Sequence, residues 1–495
     1  MKYPLFIFNT LTHKVEEFQP LKPGNVRMYT CGPTVNNFTH IGHLRTYIME
    51  DVLKRVLLTD GYRVKHVLNV TDVGHLTSDE DTGEDKIEKQ ANLESKNAWE
   101  LAEFYTNDFL SNLKKVNIIL PNIICPATKH IEEQINLIKK IEEKGFTYII
   151  SDGVYFDTSR LSDYGILSGV QQGNQKPTER IEVAQEKRNP NDFALWKFSP
   201  KDKKRQMEWP SPWGIGFPGW HIECAAMSMK YLGDYFDIHC GGVDHIPVHH
   251  ANEIAEAEAI TGKHLAKYWV HFGLLVLGEN KISKSLGNLI RIKDLEERGY
   301  NPLAYRYYVY TVQYRKTATF SWEALDACQA ALNNLFAFII KAKQIQSLSK
   351  TKKSSQQENS FNIKETGELG NQEKIKKFED DFLKSVHDDL DMPKALEIMW
   401  NFIRDYNRNP LEYDPTNVLN AFEKIDKILA FDLEKIKPLK VPPEVQKIAE
   451  KRWELKQQKQ WEESDKFRQQ IEELGYTIED FQDFYLISPH KINNS

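Results

Sequence analysis

Between residues 26 and 72 the apolar residues change their period twice, and this restricts the fold more than any other feature of the chain. Residues 26–29 read as a short strand leading into Cys31-Gly32-Pro33. From 41 to 58 the apolar residues Leu44, Ile48, Val52 and Val56 fall four apart, the spacing of one helix face. Gly61 stops that helix. Val64, Val67 and Leu68 then mark a second, buried strand running to Asn69-Val70-Thr71-Asp72. Strand, loop, helix, strand is a βαβ unit, so an α/β fold with a parallel, doubly wound sheet is predicted. Ligands of such sheets bind beyond the carboxyl ends of the strands, where Cys31 and Thr71 both stand.

Further along, 79–85 is acidic and reads as a surface loop. Helices are expected at 99–113 and 129–143. In YIISDGVYFD (148–157) two β-rich runs flank Asp152-Gly153, the signal for a type I′ hairpin. Residues 121–205 therefore have the texture of an insertion. The run 209–220, dense in Pro, Gly and Trp, reads as a rigid loop, and the sheet resumes near 235–239 and 269–277. Beyond 321 the pattern turns helical. The polar run 349–373 suggests a mobile linker, followed by helices near 374–389, 392–407 and 415–429. A Pro-rich break at 438–444 precedes a small unit at 445–488.

The chain has 495 residues, 40% hydrophobic and 27% charged, which suits a soluble globular protein of three to four domains. A net charge of −6 means that any nucleic-acid partner must be met by local basic patches. The five cysteines are odd in number and scattered, which argues against a disulfide framework and for a reducing compartment. The first ten residues lack the pattern of a secretion signal, and no apolar run reaches the ~18 residues of a membrane span. A cytoplasmic protein is expected.

Three constellations carry chemistry. His40-Ile41-Gly42-His43 opens the first helix with two imidazoles on one face, at the helix end that favours phosphate, and Gly42 lets a nucleotide approach the backbone. Lys281-Ile282-Ser283-Lys284-Ser285 interleaves two lysines with hydroxyls, a set that can hold a pyrophosphate. Either motif alone is short enough to occur in ordinary helix starts and solvated loops. The third is Cys31, Cys224, His249, His250 and Glu253. His249 and Glu253 are four apart and share a helix face. Two thiolates, an imidazole and a carboxylate make a plausible tetrahedral zinc site without the CxxC pairs of a zinc finger.

Taken together, the first two motifs resemble the HIGH and KMSKS signatures of class I aminoacyl-tRNA synthetases, with Ile282 in place of Met. CGPTV, PSPWGIGFPGWHIEC, FDIHCGGVD and HHANE, with NVTD (69–72), DYGILSG (163–169) and DFALWK (192–197), are similar to the cysteinyl-tRNA synthetase pattern over nearly the whole chain.

That resemblance implies a class I Rossmann-type catalytic domain (1–120 and 206–275) split by an inserted connective domain (121–205). It further implies a stem-contact region with the KISKS loop (276–320), a helical bundle that binds tRNA (321–436) and a small C-terminal anticodon-binding domain (437–495). It implies activation of L-cysteine by ATP, with Mg2+, to cysteinyl-adenylate, then transfer to the 3′-end of tRNA-Cys by a monomer. The catalytic residues become His40, His43, Lys281 and Lys284, with Gly42 and Ser283 also at the ATP. Thr71, Trp220, His239 and Asp244 line the cysteine pocket. One Zn2+ falls to Cys31, Cys224, His249 and Glu253 and binds the substrate thiolate.

The sequence departs from the family at Phe217, where Arg is frequent, and at Cys240, where Gly is frequent. His245 adds a donor, which leaves Cys240 and His245 open as alternative zinc ligands. Two other readings share parts of the pattern. A ligase joining cysteine to a small amine would not need the helical region after 321. A non-catalytic zinc- and RNA-binding relative would not need His40, His43, Lys281 and Lys284.

Overall fold

The computed structural model describes residues 3–73, 86–94, 96–168, 186–200, 204–278, 280–281, 289–354, 365–481 and 485–489. They divide into two compact units. The first holds Met1–Arg298, Val312–Phe320 and His387–Leu390; the second holds Gly299–Thr311, Ser321–Val386 and Asp391–Ser495. The expected loop at 79–85 lies outside the described residues. Among the described residues no helix is long and apolar enough to cross a membrane.

The first unit opens with a hairpin of β1 (Phe6–Asn9) and β2 (Lys14–Glu17). The predicted βαβ unit follows as β3 (Asn25–Thr30), α1 (Ile41–Thr59) and β4 (Arg63–Val70). Gly61, with φ +86°, takes the left-handed position after α1, as a helix stop requires. Next come α2 (Lys86–Glu94), α3 (Ala98–Lys115), β5 (Ile123–Pro126) and α4 (Ile131–Glu143). The strands β6 (Thr147–Ile150), β7 (Gly153–Phe156), β8 (Phe193–Phe198) and β9 (Gly216–Pro218) form an antiparallel sheet in that order. The chain returns through α5 (Trp220–Leu232), β10 (Phe236–Gly242), α6 (His249–Thr261) and β11 (Ala266–Phe272).

The central sheet is parallel throughout, in the order β11-β10-β3-β4-β5. Strand order therefore reverses between β3 and β10, which is the topological switch point where a doubly wound sheet offers a crevice. Tyr29, Val67, Ile222, Phe236 and Trp269, all buried, belong to the core around this sheet. A smaller sheet places β12 (Leu275–Leu277) between β13 (Asn280–Lys281) and, after α7 (Ile292–Glu297), β14 (Ala318–Phe320).

Three expectations are corrected. The segment 121–205 is not wholly an insertion: β5 is an edge strand of the central sheet, while β9, beyond residue 205, completes the inserted one. The break in texture misses this because each strand is short. The 148–157 hairpin forms, but Ile150 pairs with Gly153, so the loop is Ser151-Asp152 and Gly153 is already strand. Gly153 is required for another reason: a Cβ there would lie 2.4 Å from the Trp196 carbonyl oxygen on β8. The Trp-rich loop also contains β9, on which Phe217 is buried beneath the Arg205 guanidinium, 3.6 Å from the ring centre.

The second unit is mainly helical: α8 (Pro302–Tyr310), α9 (Trp322–Ser354), α10 (Glu365–His387), α11 (Met392–Arg408) and α12 (Pro415–Leu429). The polar run 349–373, read as a linker, is helical where it is described, ending α9 and beginning α10. Polar composition alone does not oppose a helix whose residues are good helix formers. Residues His387–Leu390, inside the helical region, belong to the first unit. Asp389 there accepts hydrogen bonds from the Phe8 amide (2.8 Å), the Tyr314 hydroxyl (2.6 Å) and Arg315 Nε (2.9 Å).

The chain ends in α13 (Pro443–Gln457), α14 (Trp461–Glu473), β15 (Tyr476–Asp480) and β16 (Tyr485–Pro489), around a small core of Val445, Ala449, Ile471, Ile478 and Ile487. A core this small needs support, and Asp480 supplies some. Arg452 grips it with two bonds of 2.6 and 2.7 Å, and Lys456 and Arg468 approach at 2.8 and 3.0 Å. Partial burial alone would raise the Asp480 pKa, but the bonds from Arg452 and Lys456 prevail and hold it at about 2. The unfolded carboxylate titrates near ~3.9. A depressed folded pKa means the contribution is full above the unfolded value and is lost as pH falls toward the folded one. Asp480→Asn should therefore cost about 3 kcal/mol at neutral pH by leaving Arg452 buried and unpaired. In denaturant titrations the gap from the parent should close between about pH 4 and about pH 2.

Candidate metal centre and nucleotide site

Cys31 is the residue after β3, at the switch point. Cys224 lies one turn into α5, and His249 and Glu253 occupy the first turns of α6. These segments are far apart in sequence, yet ligand atoms of Cys31, Cys224, His249 and Glu253 all lie within 4.8 Å of one another, and all four residues are buried. Glu253 Oε1 stands 3.2 Å from His249 Nε2 and 3.7 Å from Cys31 Sγ. The other ring nitrogen of His249 faces His221 Nδ1 at 2.9 Å, which turns Nε2 toward the cluster.

A second set overlaps the first: Cys31, His239, His250 and Glu253 also meet within 4.8 Å. His239 Nε2 holds Glu253 Oε2 at 2.8 Å, and His250 Nε2 lies 3.3 Å from Cys31 Sγ. Cys31 and Glu253 are common to both sets; Oε1 of the carboxylate faces Cys31 and His249, and Oε2 faces His239. Behind His250 the chain continues to His271 (2.7 Å) and Thr10 (2.8 Å).

Burial sets the electrostatics of the cluster. Burial pushes the Cys31 thiol far above its ordinary pKa, and the nearby Cys224 and Glu253 push it further. Burial also raises Cys224. Burial, with the surrounding imidazoles, drives His250 well down. Two thiols packed together out of water resist ionising; a divalent cation beside them reverses that preference. Sulfur, imidazole and carboxylate are the ligand types zinc takes, so the residues fit that ion.

Neither set includes Cys240. Successive strand residues point to opposite faces, so with His239 turned to Glu253, Cys240 faces the other side of the sheet, where Glu50 influences its thiol. His245 is not in either set, although its ring centre is 5.2 Å from that of His249.

The other expected residues divide. Trp220 begins α5 and its ring lies 4.4 Å from that of His249. Thr71 is buried at the end of β4, where its hydroxyl accepts from Asn69 at 3.1 Å. Asp244 is exposed on a short turn after β10. His40 caps α1, accepting from the His43 amide at 3.4 Å, and the two rings stack with centres 3.6 Å apart. The amides at this helix end are therefore partly engaged, since Ile41 N–H also donates to Ile290 O at 2.9 Å. A Cβ on Gly42 would lie 2.9 Å from the His40 ring, so that ring takes the space above it. Lys281 ends β13, its backbone paired with Val276. Ser283 and Lys284 lie outside the described residues.

Sequence reasoning missed His221 and His271. His221 was findable, three residues before Cys224 on one helix face. His271 gave no signal, because only the pairing of β10 with β11 brings it opposite Gly241.

Comparison with known proteins identifies the family. Residues 17–330 match the family described as the catalytic domain of class I (C) tRNA synthetases. Among solved structures, the Mycobacterium tuberculosis methionyl-tRNA synthetase with methionyl-adenylate is similar in fold. It has a TM-score of 0.60 and 16% identity, covering 83% of this chain and 93% of that one. The Agrobacterium radiobacter K84 LeuRS–tRNA–LeuAMS complex gives 0.59 and 10%, covering 85% of each. The chain is 42% identical to cysteine–tRNA ligase 1 of Burkholderia lata over 96% of its length and 95% of that protein's. It is 41% identical to the cysteine–tRNA ligase of Treponema denticola over 96% and 98%. It belongs to the cysteine–tRNA ligase family of class I tRNA synthetases.

The two donor sets are separable by metal analysis. Cys224→Ala is expected to lower the zinc content of the purified protein, measured by plasma emission, while His250→Ala retains it. The reverse result would assign the ion to His239 and His250.

Proposed function

We propose that the chain activates L-cysteine with ATP and Mg2+ to cysteinyl-adenylate, then transfers the cysteinyl group to the 3′-end of tRNA-Cys. The observation that carries the cysteine reading is the convergence of Cys31, Cys224, His249 and Glu253, buried at the switch point of the sheet. These four residues hold zinc in this reading. When bound, zinc supplies a soft cation that favours an ionised sulfur over a hydroxyl.

The protein's own groups do the rest. Trp220, against His249, walls the cysteine side chain; His239 holds the second oxygen of Glu253 and so keeps that carboxylate in place. The cysteine carboxylate attacks the α-phosphate, and pyrophosphate leaves. His40 and His43, stacked at the start of α1, act on the charge that develops there, with Lys281, Ser283 and Lys284 on the departing phosphates. The ribose hydroxyl of the tRNA then attacks the acyl carbon, releasing AMP. The helical second unit and its C-terminal domain meet the tRNA body and anticodon, and the protein acts in the cytoplasm as a monomer.

Cysteine-dependent ATP–pyrophosphate exchange, followed by charging of tRNA-Cys, tests the reading; absence of exchange with the zinc-loaded protein refutes it. An apolar pocket separates near-isosteric side chains by only ~10². Chelating the metal is therefore expected to bring the preference for cysteine over serine down to that range. A metal-free protein that kept several orders of magnitude would remove zinc from specificity.

Lys284→Ala should lower exchange by ~10²–10³ with zinc content and cysteine binding unchanged, because a group placed to balance transition-state charge contributes little to ground-state affinity. An unchanged exchange rate would dismiss the lysine motif.

A further inference from the structure

Arg45 is five residues after the helix cap His40 and two after His43, and it is almost completely buried, at 1% exposure. A guanidinium in such a place must have its donors satisfied by fixed acceptors. Here they are backbone carbonyls of two separate segments. Nη1 donates to Gly273 O and to Leu274 O (3.0 Å), and Nη2 donates to Lys316 O.

Those carbonyls mark one junction. The two segments approach so closely that a Cβ on Gly273 would lie 2.4 Å from Lys316 O. Ala318 N–H donates to Leu274 O at 2.9 Å, and from there β12 and β14 run side by side. β12 pairs antiparallel with β13, so the backbone of Lys281 is set by its pairing with Val276. On the far side of the lysine motif, Ile290 O receives the Ile41 amide at 2.9 Å. The first turns of α1 thus hold the chain both where it enters the lysine motif and where it leaves.

We propose that Arg45 is a positioning residue for adenylate formation. It fixes the small sheet that carries Lys281 against the helix that carries His40 and His43, and so sets the spacing of the two phosphate-binding motifs. The inference rests on the reading of those motifs given above. Only a planar fork spans carbonyls of two segments at once; a lysine ammonium on a flexible stem does not hold both. The reacting groups need this spacing held closely, since a displacement of about 1 Å costs up to ~10²-fold in rate.

The test is Arg45→Lys in the full-length, zinc-loaded protein, alone and combined with Lys281→Ala. Arg45→Lys is expected to slow pyrophosphate exchange by about 10- to 100-fold. Zinc content and cysteine binding without ATP should stay at parental levels, because Cys31, Cys224, His249 and Glu253 do not touch this junction. The double variant should be scarcely slower than Lys281→Ala alone, since a residue acting through Lys281 adds little once that amine is gone.

Parallel loss of exchange, zinc and cysteine binding would reduce Arg45 to a general fold contact and overturn the proposal, as would an unchanged exchange rate. Strictly multiplicative effects in the double variant would also overturn it while leaving the lysine motif intact. A Lys281→Ala protein with full exchange would remove the role of Lys281 and this inference with it. Should Arg45→Lys fail to fold, Gly273→Ala forces the same junction apart from the other side. It is expected to slow exchange with cysteine binding kept, and full exchange in that variant overturns the proposal.

Discussion

The site depends first on the parallel pairing of β3 with β10. Met28 lies opposite Ile238, Tyr29 opposite His239 and Thr30 opposite Cys240, across some 210 residues of sequence. With that register the Cys31 amide donates to Cys240 O at 3.2 Å, and the thiol emerges beside α6. A slip of one residue would exchange the faces of His239 and Cys240. An imidazole would then be turned from Glu253 toward Glu50, and a thiol would stand where the carboxylate needs a donor. The geometry of the donor cluster and the strand register are therefore one constraint.

Burial gives the two faces of this sheet their electrostatic character. On one face, desolvation pushes Cys31, Cys224 and Tyr29 toward their neutral forms; Cys224 adds to the shift of Cys31 and Tyr29, while hydrogen bonds with those two pull Cys224 partly back. His250 and His271 are driven the same way, to neutral imidazole. A buried pocket of sulfur and nitrogen donors beside Glu253 is receptive to a cation, because the ion restores what the lost water supplied. The opposite face holds Glu50 with Cys240. Burial raises both groups, and Glu50 Oε1 has no hydrogen-bond partner among the described residues.

Helix α1 shows how charge inside a fold escapes a reading by periodicity. Leu44, Ile48, Val52 and Val56 are buried as the spacing predicts, but so are Arg45, Asp51 and Lys54. Each is satisfied by the backbone of a neighbouring segment. Asp51 accepts from the Ile119 amide at 2.9 Å, and Lys54 donates to Ile119 O and Leu120 O at 3.2 and 2.9 Å. Desolvation lowers Lys54 to about 8 in consequence. The apolar spacing gives no sign of this burial, since a hydrophobic pattern reports side-chain chemistry and not the carbonyls waiting opposite.

The sequence by itself determined the βαβ unit, the placing of Cys31 and Thr71 at strand ends, and four of the metal donors as candidates. Local periodicity and short motifs carry that information because strand alternation and helix spacing are properties of neighbouring residues. Tertiary structure decided what depends on distant pairing. It separated His239 from Cys240 by the pleat of β10, brought His271 behind His250 through the register of β11, and left Cys240 out of both donor sets. It moved β5 into the central sheet and β9 into the inserted one, and it gave His387–Leu390 to the first unit. In each case the deciding contact is a backbone hydrogen bond or a buried polar pair between segments far apart in sequence, and no local pattern encodes which segment will supply the partner.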